Sequence, residues 1–467
     1  MSVLPEQIRA VNIGLPMFAE ALRAQDVAVQ HVDWRIPAGG DLAAVATLSR
    51  LYGDHGSAVD GANAEVVRRL DSGVPQLVEV STVEHAVPGV EGRTLLHCGP
   101  AIDFEQVCDP LRRSMRAAVV AEGWAADVEQ AQRLVAGGDV ALEPANHHQA
   151  VVPMASAIGP TAPVFVVADR EGGTRSYAPI SQGPGEVAWF GRDTDGAIER
   201  LRFLRDVAGP ALTRILSLAG PLDILNLAAQ GVSMGDDLHM RTQAATNLLV
   251  RTWLPQLAEL PDEQRGGMAR FLSGNHLFFL TLAMAAAKAL TLSAEQVSGS
   301  STVTTMSRNG TTFGIKLAGS PEWHITAAPP ITDALYYSGY GPEDAAPDIG
   351  DSAVLELVGL GGPAAAGSPA VAAFLGGSMA DARRATEAFR QICVGTSSRF
   401  TLPPLDFSGT PIGVDVRRVV ELGITPQITT GILHSSSGVG QIGAGVATAP
   451  LECFAEALAA LDARLVR

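Results

Sequence analysis

Aromatic residues are scarce in this chain of 467 residues: they make up 5% of it, although 47% of the residues are hydrophobic. A core of this composition is built from Ala, Leu and Val and depends on close packing of helices. The four cysteines, Cys98, Cys108, Cys393 and Cys453, form no CxxC pair and have no histidine at zinc-finger spacing. We therefore expect no structural zinc site.

Basic residues are also few. The chain has 33 Lys and Arg against 49 Asp and Glu, which gives a net charge of −16, and no basic run interrupts the acidic balance. Because neutralising phosphates requires clustered Lys and Arg, the sequence predicts that nucleic acid is not a partner. A local cationic pocket for a small anion remains compatible with this charge.

Targeting and cofactor motifs are missing as well. The first residues, Met1–Arg9, show no basic segment followed by an apolar one, so we expect a cytoplasmic protein with reduced thiols. The first turn of the N-terminal pattern has the single Gly14 rather than GxGxxG, and GxxxxGK[ST] does not occur, so we expect no cofactor. The long apolar stretch at 271–292 includes Asn275, His276 and Lys288, which favours a buried helix and no membrane contact.

The length predicts about two to four domains, and the order of patterns predicts an α/β fold in four segments. Residues 1–90 form a small α/β lobe that begins with a strand, a helix and a strand at 8–34. A second α/β region follows at 91–192. A helical domain occupies 193–296, and an α+β domain occupies 297–467.

In the helical domain, glycine and proline place the boundaries. Breaks are expected at Gly209-Pro210, Gly220-Pro221 and Pro261. The predicted helices are 194–208, 210–219, 221–230, 236–260 and 263–292.

Charged residues are densest within 230–241, where an apolar chain suddenly brings together Asp236, Asp237, His239 and Arg241. We predict that this cluster starts the helix at 236–260, where free backbone N–H groups favour an anion. Helical spacing puts Asp236 and His239 on one face, and Asp237 and Arg241 on the neighbouring one. The alternative is structural: Asp236 caps the helix, Asp237 pairs with Arg241, and His239 is a satisfied histidine.

Polar loops of the second α/β region supply further candidates. His97 is predicted at the end of a strand, where α/β sheets commonly bind ligands. Glu122 closes the helix that starts near Cys108. The adjacent His147 and His148 are able to bind an anion or a metal, and because neighbouring side chains diverge, one functional and one structural histidine are favoured.

Three more candidates lie further along the chain. Asn275 and His276 are either a buried hydrogen-bonded pair or part of the cavity of His239. Thr302–Leu317 is predicted to be a β-hairpin with Arg308-Asn309-Gly310 at its tip, and the forked donors of Arg308 suit a carboxylate or phosphate. Asp351, in the loop Pro347–Ser352, either caps a helix or faces a ligand.

Several motifs in fixed order resemble the YlbE-like family, which contains the AllG-type subunit of oxamate carbamoyltransferase. They begin at Leu95 (LLHCGP), Val120 (VAEGWA), Gln230 (QGVSMGDDLH), Met306 (MSRNG), Pro347 (PDIGDS), Val414 (VDVRRVVELGITP) and Gly440 (GQIGAG), and so cover nearly everything from residue 93 onward. The N-terminal segment from Asn12 to Gly40 is similar to one in FdrA-type partner chains, which are related to acyl-CoA ligases.

The resemblance implies reversible carbamoyl transfer between carbamoyl phosphate and oxamate, in allantoin or purine nitrogen catabolism, by several subunits together. It brings no catalytic residues with it. The chemistry asks for donors to anions, a donor to the carbonyl oxygen and an acid for the leaving nitrogen. Arg308 and Arg241 are our candidates for the anions, His239 oriented by Asp236 for the acid, and Asn309 or His147 for the carbonyl.

Two alternatives stay open. The chain is a non-catalytic subunit whose pocket completes a site on an FdrA-type partner, or it is a metal-dependent amidohydrolase that uses His147, His148 and His239. The Ser-x-Arg-Thr-Arg phosphate loop of ordinary carbamoyltransferases is absent. For the first interpretation we expect FdrA-type partners, a homo-oligomer, and one cavity shared by His239 and Arg308.

Overall fold

The computed structural model describes residues 8–32, 34–373 and 377–466, and Asp33 of the N-terminal segment and residues 1–7 lie outside these ranges. The strands are β1 (Arg9–Ile13), β2 (Ala28–Val32), β3 (Pro75–Thr82), β4 (Thr94–His97), β5 (Ala141–Pro144), β6 (Ala157–Ile158), β7 (Pro163–Asp169), β8 (Arg175–Pro179), β9 (Leu222–Asp223), β10 (Val303–Asn309), β11 (Thr312–Leu317), β12 (His324–Ala327), β13 (Ile331–Tyr336), β14 (Ile349–Gly350), β15 (Cys393–Leu402), β16 (Ser408–Val414), β17 (Gln427–Leu433) and β18 (Gln441–Thr448). The helices are α1 (Pro16–Arg23), α2 (Leu42–Tyr52), α3 (Gly56–Ser72), α4 (Val83–Ala86), α5 (Asp109–Ala121), α6 (Val128–Ala136), α7 (Asp195–Phe203), α8 (Gly209–Ala219), α9 (Ile224–Ser233), α10 (Gln243–Ala258), α11 (Asp262–Gly274), α12 (Phe278–Glu295), α13 (Val354–Leu357), α14 (Pro369–Ala372), α15 (Met379–Ile392), α16 (Val416–Leu422) and α17 (Leu451–Leu465). The predicted α/β class is confirmed.

The chain begins with the predicted strand, helix and strand. β1 and β2 pair in parallel, and α1 packs against them. Within 8–32, Ala19 is the one buried residue, whereas several large apolar side chains are exposed: Val11, Ile13, Leu15, Met17 and Phe18. Parallel strands are normally covered on both faces, so this N-terminal unit has almost no core of its own.

A four-stranded antiparallel sheet, in the order β8-β7-β3-β9, forms the centre of the molecule. Along β7 the side chains alternate between two cores. Phe165 and Val167 pack with the helices α8 to α12, whereas Val164 and Val166 pack with β4, β6 and α5. The sheet therefore separates the helical block from the second α/β region.

The helical block differs from the prediction at Gly209-Pro210. The backbone stays helical through Gly209 (φ −55°, ψ −58°), so the expected break is wrong. Residues 204–208 form a π-helical turn immediately before α8, and Pro210 falls in the first turn of α8, where a missing N–H is tolerated.

The helix predicted at 263–292 is two helices, α11 and α12, that are bent by 78°. The break is at Asn275–Leu277, where the Asn275 side chain accepts a hydrogen bond from the Leu277 N–H. In the described ranges, no single helix is long and apolar enough to cross a membrane; α11 and residues 278–294 meet the criterion only as this bent pair.

The C-terminal segment is built from small antiparallel sheets. β10 and β11 form the predicted hairpin, within the sheet β12-β11-β10-β14, and β13-β18-β17 form another. The predicted helix at 451–465 is confirmed as α17.

The four-segment division stays a prediction, and contacts cross its boundaries. β3 belongs to the first segment but pairs with β7 of the second, and α2 and α3 pack on C-terminal elements.

A buried ion pair joins the hairpin to the loop that leads into β14. Arg308 donates from Nε and Nη2 to the two carboxylate oxygens of Asp348, at 2.7 and 2.8 Å, and from Nη1 to the Gly350 carbonyl. Both side chains are fully buried. The Asp348 carboxylate holds the pKa of Arg308 above its usual value, against the opposing effect of burial.

We predict that Asp348→Ala lowers the free energy of unfolding by about 3–5 kcal/mol, because Arg308 would remain as an uncompensated buried charge. Denaturant titration measures the change. The matched control is Asp262→Ala, which removes the partner of Arg265 at an exposed position and should cost no more than about 1 kcal/mol. Equal losses in both variants would contradict the prediction.

Candidate functional site

A cavity of about 740 Å³ lies where the segments of the fold meet, and we call it the His239 pocket. Its lining includes Pro153, Met154, Arg192, His239, His276, Tyr336, Ser352 and Gly431. The volume is in the range of sites for small organic ligands. Residues of the helical block and of both flanking regions line it.

His239 lies in the loop between α9 and α10 and lines this pocket. Its Nδ1 is 2.7 Å from Oε1 of Glu356, and 4% and 0% of the two side chains are exposed. Because Nδ1 is engaged, Nε2 is the ring nitrogen left to meet a ligand in the pocket. A histidine fixed in this way by a carboxylate is suited to accept and donate a proton.

Gly361 permits this pairing. A Cβ at this position would lie 2.2 Å from Oε1 of Glu356 and 3.3 Å from Cβ of His239, and the backbone φ is +64°. A side chain at residue 361 would therefore displace the carboxylate, and its backbone conformation is one that glycine adopts without strain.

The loop around His239 corrects the predicted helix start. α10 begins at Gln243 rather than at 236, because Leu238 has a φ of +65° and turns the chain. Asp237 is enclosed by this turn and accepts hydrogen bonds from the N–H groups of Met240 and Arg241. The expected helical faces of the cluster are therefore not formed.

Asp236 has a different partner from the one expected. It pairs with Arg241 at 2.5 Å and accepts from the N–H groups of Ala244 and Ala245 at the start of α10. Glu356, and not Asp236, orients His239. Burial raises the pKa of Asp236 to about 6, although the two N–H donors and Arg241 act in the opposite direction.

Two further groups give the pocket its polarity. His276 lines it, as one of the two alternatives proposed, and burial lowers the pKa of its imidazole. Arg192 donates from Nε to the Val439 carbonyl at 2.7 Å and lies 3.6 Å from the Glu186 carboxylate. The guanidinium is thus anchored at the pocket wall and retains some exposure, at 28% of the side chain.

Behind the pocket, the Asp351 carboxylate connects three chain segments. It accepts hydrogen bonds from the N–H groups of Gly99 and Val152, both at 2.9 Å, and from the Ser307 hydroxyl. Asp351 is buried, and burial raises its pKa to about 6. Its neighbour Ser352 and the nearby Met154 both line the His239 pocket.

The hairpin tip belongs to this buried junction. Arg308 is fully buried and does not line the His239 pocket, so the cavity expected to be shared with His239 is not formed. Asn309 accepts from the N–H groups of Thr311 and Thr312 and donates to the Pro100 carbonyl. His97, at the end of β4, points Nδ1 at the Cys98 carbonyl, and its buried Nε2 has no hydrogen-bond partner among the described residues. Burial lowers the pKa of His97 to about 4.

The structure places the remaining candidates elsewhere. His147 is exposed beside Trp323, whereas His148 is buried between the Glu143 carboxylate and the Pro88 carbonyl. Glu122 accepts from the Thr161 N–H.

Asn275 bonds to Ser181 and lines a different cavity from that of His276. Across the described ranges, no group of three or more His, Cys, Asp or Glu is arranged to hold a metal ion. The metal-dependent alternative therefore gains no support.

Sequence reasoning missed two residues of this site, Arg192 and, with greater consequence, Glu356. It lies 117 positions from His239, and no local pattern relates residues that far apart. The available signal was the isolation of one carboxylate in the apolar run Ala353–Leu360, because a buried acid without a local partner requires one from elsewhere in the fold.

The raised pKa of Asp351 predicts a pH effect. An unfolded Asp titrates near pH 4, so between about pH 4 and 6 the folded protein holds a proton that the unfolded chain has lost. The contribution of Asp351 to stability therefore falls as the pH rises through this range, and is constant above it. Relative to Asp351→Asn, the wild type should lose unfolding free energy from pH 4 to 6, as measured by urea titration. A difference that rises with pH would contradict this.

Comparison with known proteins gives consistent matches. The family described as "Oxamate carbamoyltransferase subunit AllG" matches residues 140–352. The uncharacterised protein YahG of Escherichia coli K12 is 33% identical over 98% of both chains. A crystal structure of a conserved protein of unknown function from Enterococcus faecalis V583 superposes with a TM-score of 0.85 at 34% identity, and covers 87% of this chain and 98% of that one.

The oxamate carbamoyltransferase subunit AllG of Escherichia coli K12 is 38% identical over 410 residues, which is 87% of this chain and 98% of that protein. An identity of this size over nearly the whole relative goes well beyond a shared fold. The chain belongs to the AllG family.

Proposed function

We propose that this chain is a subunit of a carbamoyltransferase that interconverts oxalurate and phosphate with oxamate and carbamoyl phosphate. Membership of the AllG family supports the reaction class. The observation that carries the proposal for this chain is the pair formed by His239 and Glu356, with the histidine on the wall of a ligand-sized cavity.

In the catabolic direction, a phosphate oxygen attacks the ureido carbonyl carbon of oxalurate. A P–O–C bond forms, the C–N bond to the oxamate part breaks, and the leaving nitrogen takes a proton. Nε2 of His239 accepts the proton that phosphate loses and returns it to that nitrogen, so the proton count balances. Glu356 stabilises the imidazolium that exists between the two transfers.

Both substrates are anions, and Arg192 is the guanidinium on the pocket wall that we assign to one of them. Arg241 and Arg308 do not line this pocket, and they pair with the carboxylates of Asp236 and Asp348. Their role in this proposal is to position the loops that carry His239 and Ser352.

We predict that His239→Ala lowers the rate of phosphate-dependent oxalurate cleavage by about 10²–10⁴-fold, the usual value of general acid–base catalysis. The assay contains the FdrA-type partner subunits. Glu356→Gln should lower the rate less, because the His239 ring keeps a hydrogen-bond partner but loses the negative charge that stabilises its imidazolium. The control is His85→Ala, at a largely exposed position. Unchanged activity in His239→Ala would favour the alternative, a non-catalytic subunit that completes a partner's site.

The proposal includes cytoplasmic partner subunits of the FdrA type, a homo-oligomeric assembly, and a place in allantoin and purine nitrogen catabolism. The relative's name describes a subunit. The N-terminal unit at 8–32, with its exposed Val11 and Ile13 and its single buried residue, is the surface that we assign to such a partner.

We predict that the double variant Val11→Lys, Ile13→Lys weakens co-elution with the FdrA-type subunit in size-exclusion chromatography, because charged side chains would replace the apolar ones at the contact. Leu254→Lys is the matched control, since Leu254 is similarly exposed on α10. Co-elution that is lost in the control and kept in the double variant would remove this surface from the proposal. Loss of self-association alone would assign the surface to a second copy of the chain.

A further inference from the structure

A second cavity, of about 480 Å³, lies on the helical block and is lined by two arginines, Arg200 of α7 and Arg270 of α11. We call it the arginine cavity. Its wall also contains Phe203, Phe271 and Glu199. Nothing in the proposed carbamoyl transfer uses these residues.

Arg200 is a half-buried charge without an anion. Its guanidinium lies over the rings of Phe203 and Phe271, at 5.9 and 5.6 Å from their centroids. Among the described residues, no carboxylate lies within 4.0 Å of its guanidinium nitrogens, and the guanidinium makes no hydrogen bond. Burial alone lowers its pKa. A charge removed from water is normally compensated by a partner, and here the described protein supplies only aromatic faces.

Arg270 is exposed to solvent, lines the same cavity and has no ion pair among the described residues. Glu199 also lines this wall, but it is exposed, and its carboxylate lies more than 4.0 Å from the guanidinium nitrogens of Arg200 and Arg270. Two guanidiniums without an ion pair among the described residues therefore line one cavity of a chain whose net charge is −16.

The cavity is open because glycines form part of its wall. Gly267 and Gly274 line it, and a Cβ on Gly274 would meet no atom within 4 Å. The space beside the arginines is therefore not filled by side chains, and its volume suits an organic anion rather than a bare ion.

We propose that the arginine cavity is a second anion-binding site, separate from the His239 pocket, where Arg200 and Arg270 bind the phosphate or carboxylate head group of a small organic anion. The planar, forked guanidinium matches both head groups. The cavity adjoins the His239 pocket, since Pro184 lines both, and Asn275 of this cavity is followed directly by His276 of the other.

Calorimetric titration of the full chain, with inorganic phosphate and with oxamate as probes, tests this site. We expect saturable binding of at least one probe, and Arg270→Ala should weaken it at least tenfold. Arg200→Met should do the same. Arg251→Ala, at an exposed position on α10, is the matched control and should bind as the wild type does. The probe that binds more tightly identifies the head group.

Gly274→Leu keeps the test decisive if Arg200→Met fails to fold. Leucine at this position adds a bulky side chain to the cavity wall, leaves both arginines in place and is compatible with a helix. We expect it to abolish the arginine-dependent binding. Binding that survives in Arg270→Ala and Gly274→Leu but is lost in Arg192→Ala would place the anion in the His239 pocket and overturn the proposal, as would the absence of binding of both probes by the wild type.

Discussion

The buried carboxylate of Asp351 ties together the segments on which the His239 pocket rests. Its hydrogen bonds reach Gly99 after β4, Val152 after β5 and Ser307 on β10. These elements come from two parts of the chain that share no continuous sheet. Because Met154 and Ser352 follow the bonded residues closely and line the pocket, the shape of the pocket depends on this one acceptor. The pKa of the Asp351 carboxyl is raised because the group is buried away from water.

Glu356 is a second buried carboxylate, and its Oε2 has no hydrogen-bond partner among the described residues. A stability criterion alone would not place a half-satisfied carboxylate there. Its neighbours are nevertheless arranged to keep it close to His239, since Gly361 leaves room for its Oε1. Such exceptions to local rules are expected at sites where a function sets the geometry.

Local patterns identified the elements whose structure is local. The N-terminal strand, helix and strand, the hairpin at Asn309-Gly310 and the final helix α17 were all predictable, because periodicity and turn residues determine them over a few positions. The loop at 234–242 was not, since a positive φ at Leu238 gives no signal in the residue type. Helical spacing therefore assigned Arg241 to the wrong aspartate.

The site was predictable only in part for the same reason. His239 and His276 could be singled out as polar groups in an apolar setting, and both line the pocket. The partner of His239, however, is determined by how α13 packs beside the loop, at a distance in sequence that no spacing rule covers. Arg308 could be singled out as a forked donor at a hairpin tip. Nothing in the sequence indicated that Asp348 would be its ion-pair partner.

The N-terminal unit has a consequence for how much of the structure opens at once. Regions that bury few apolar contacts open at a lower free-energy cost than the core does. Residues 8–32 bury little more than Ala19, so separating β1, α1 and β2 from one another exposes little apolar surface. This unit is thus able to open and close while the sheets and helices of the rest of the fold stay intact.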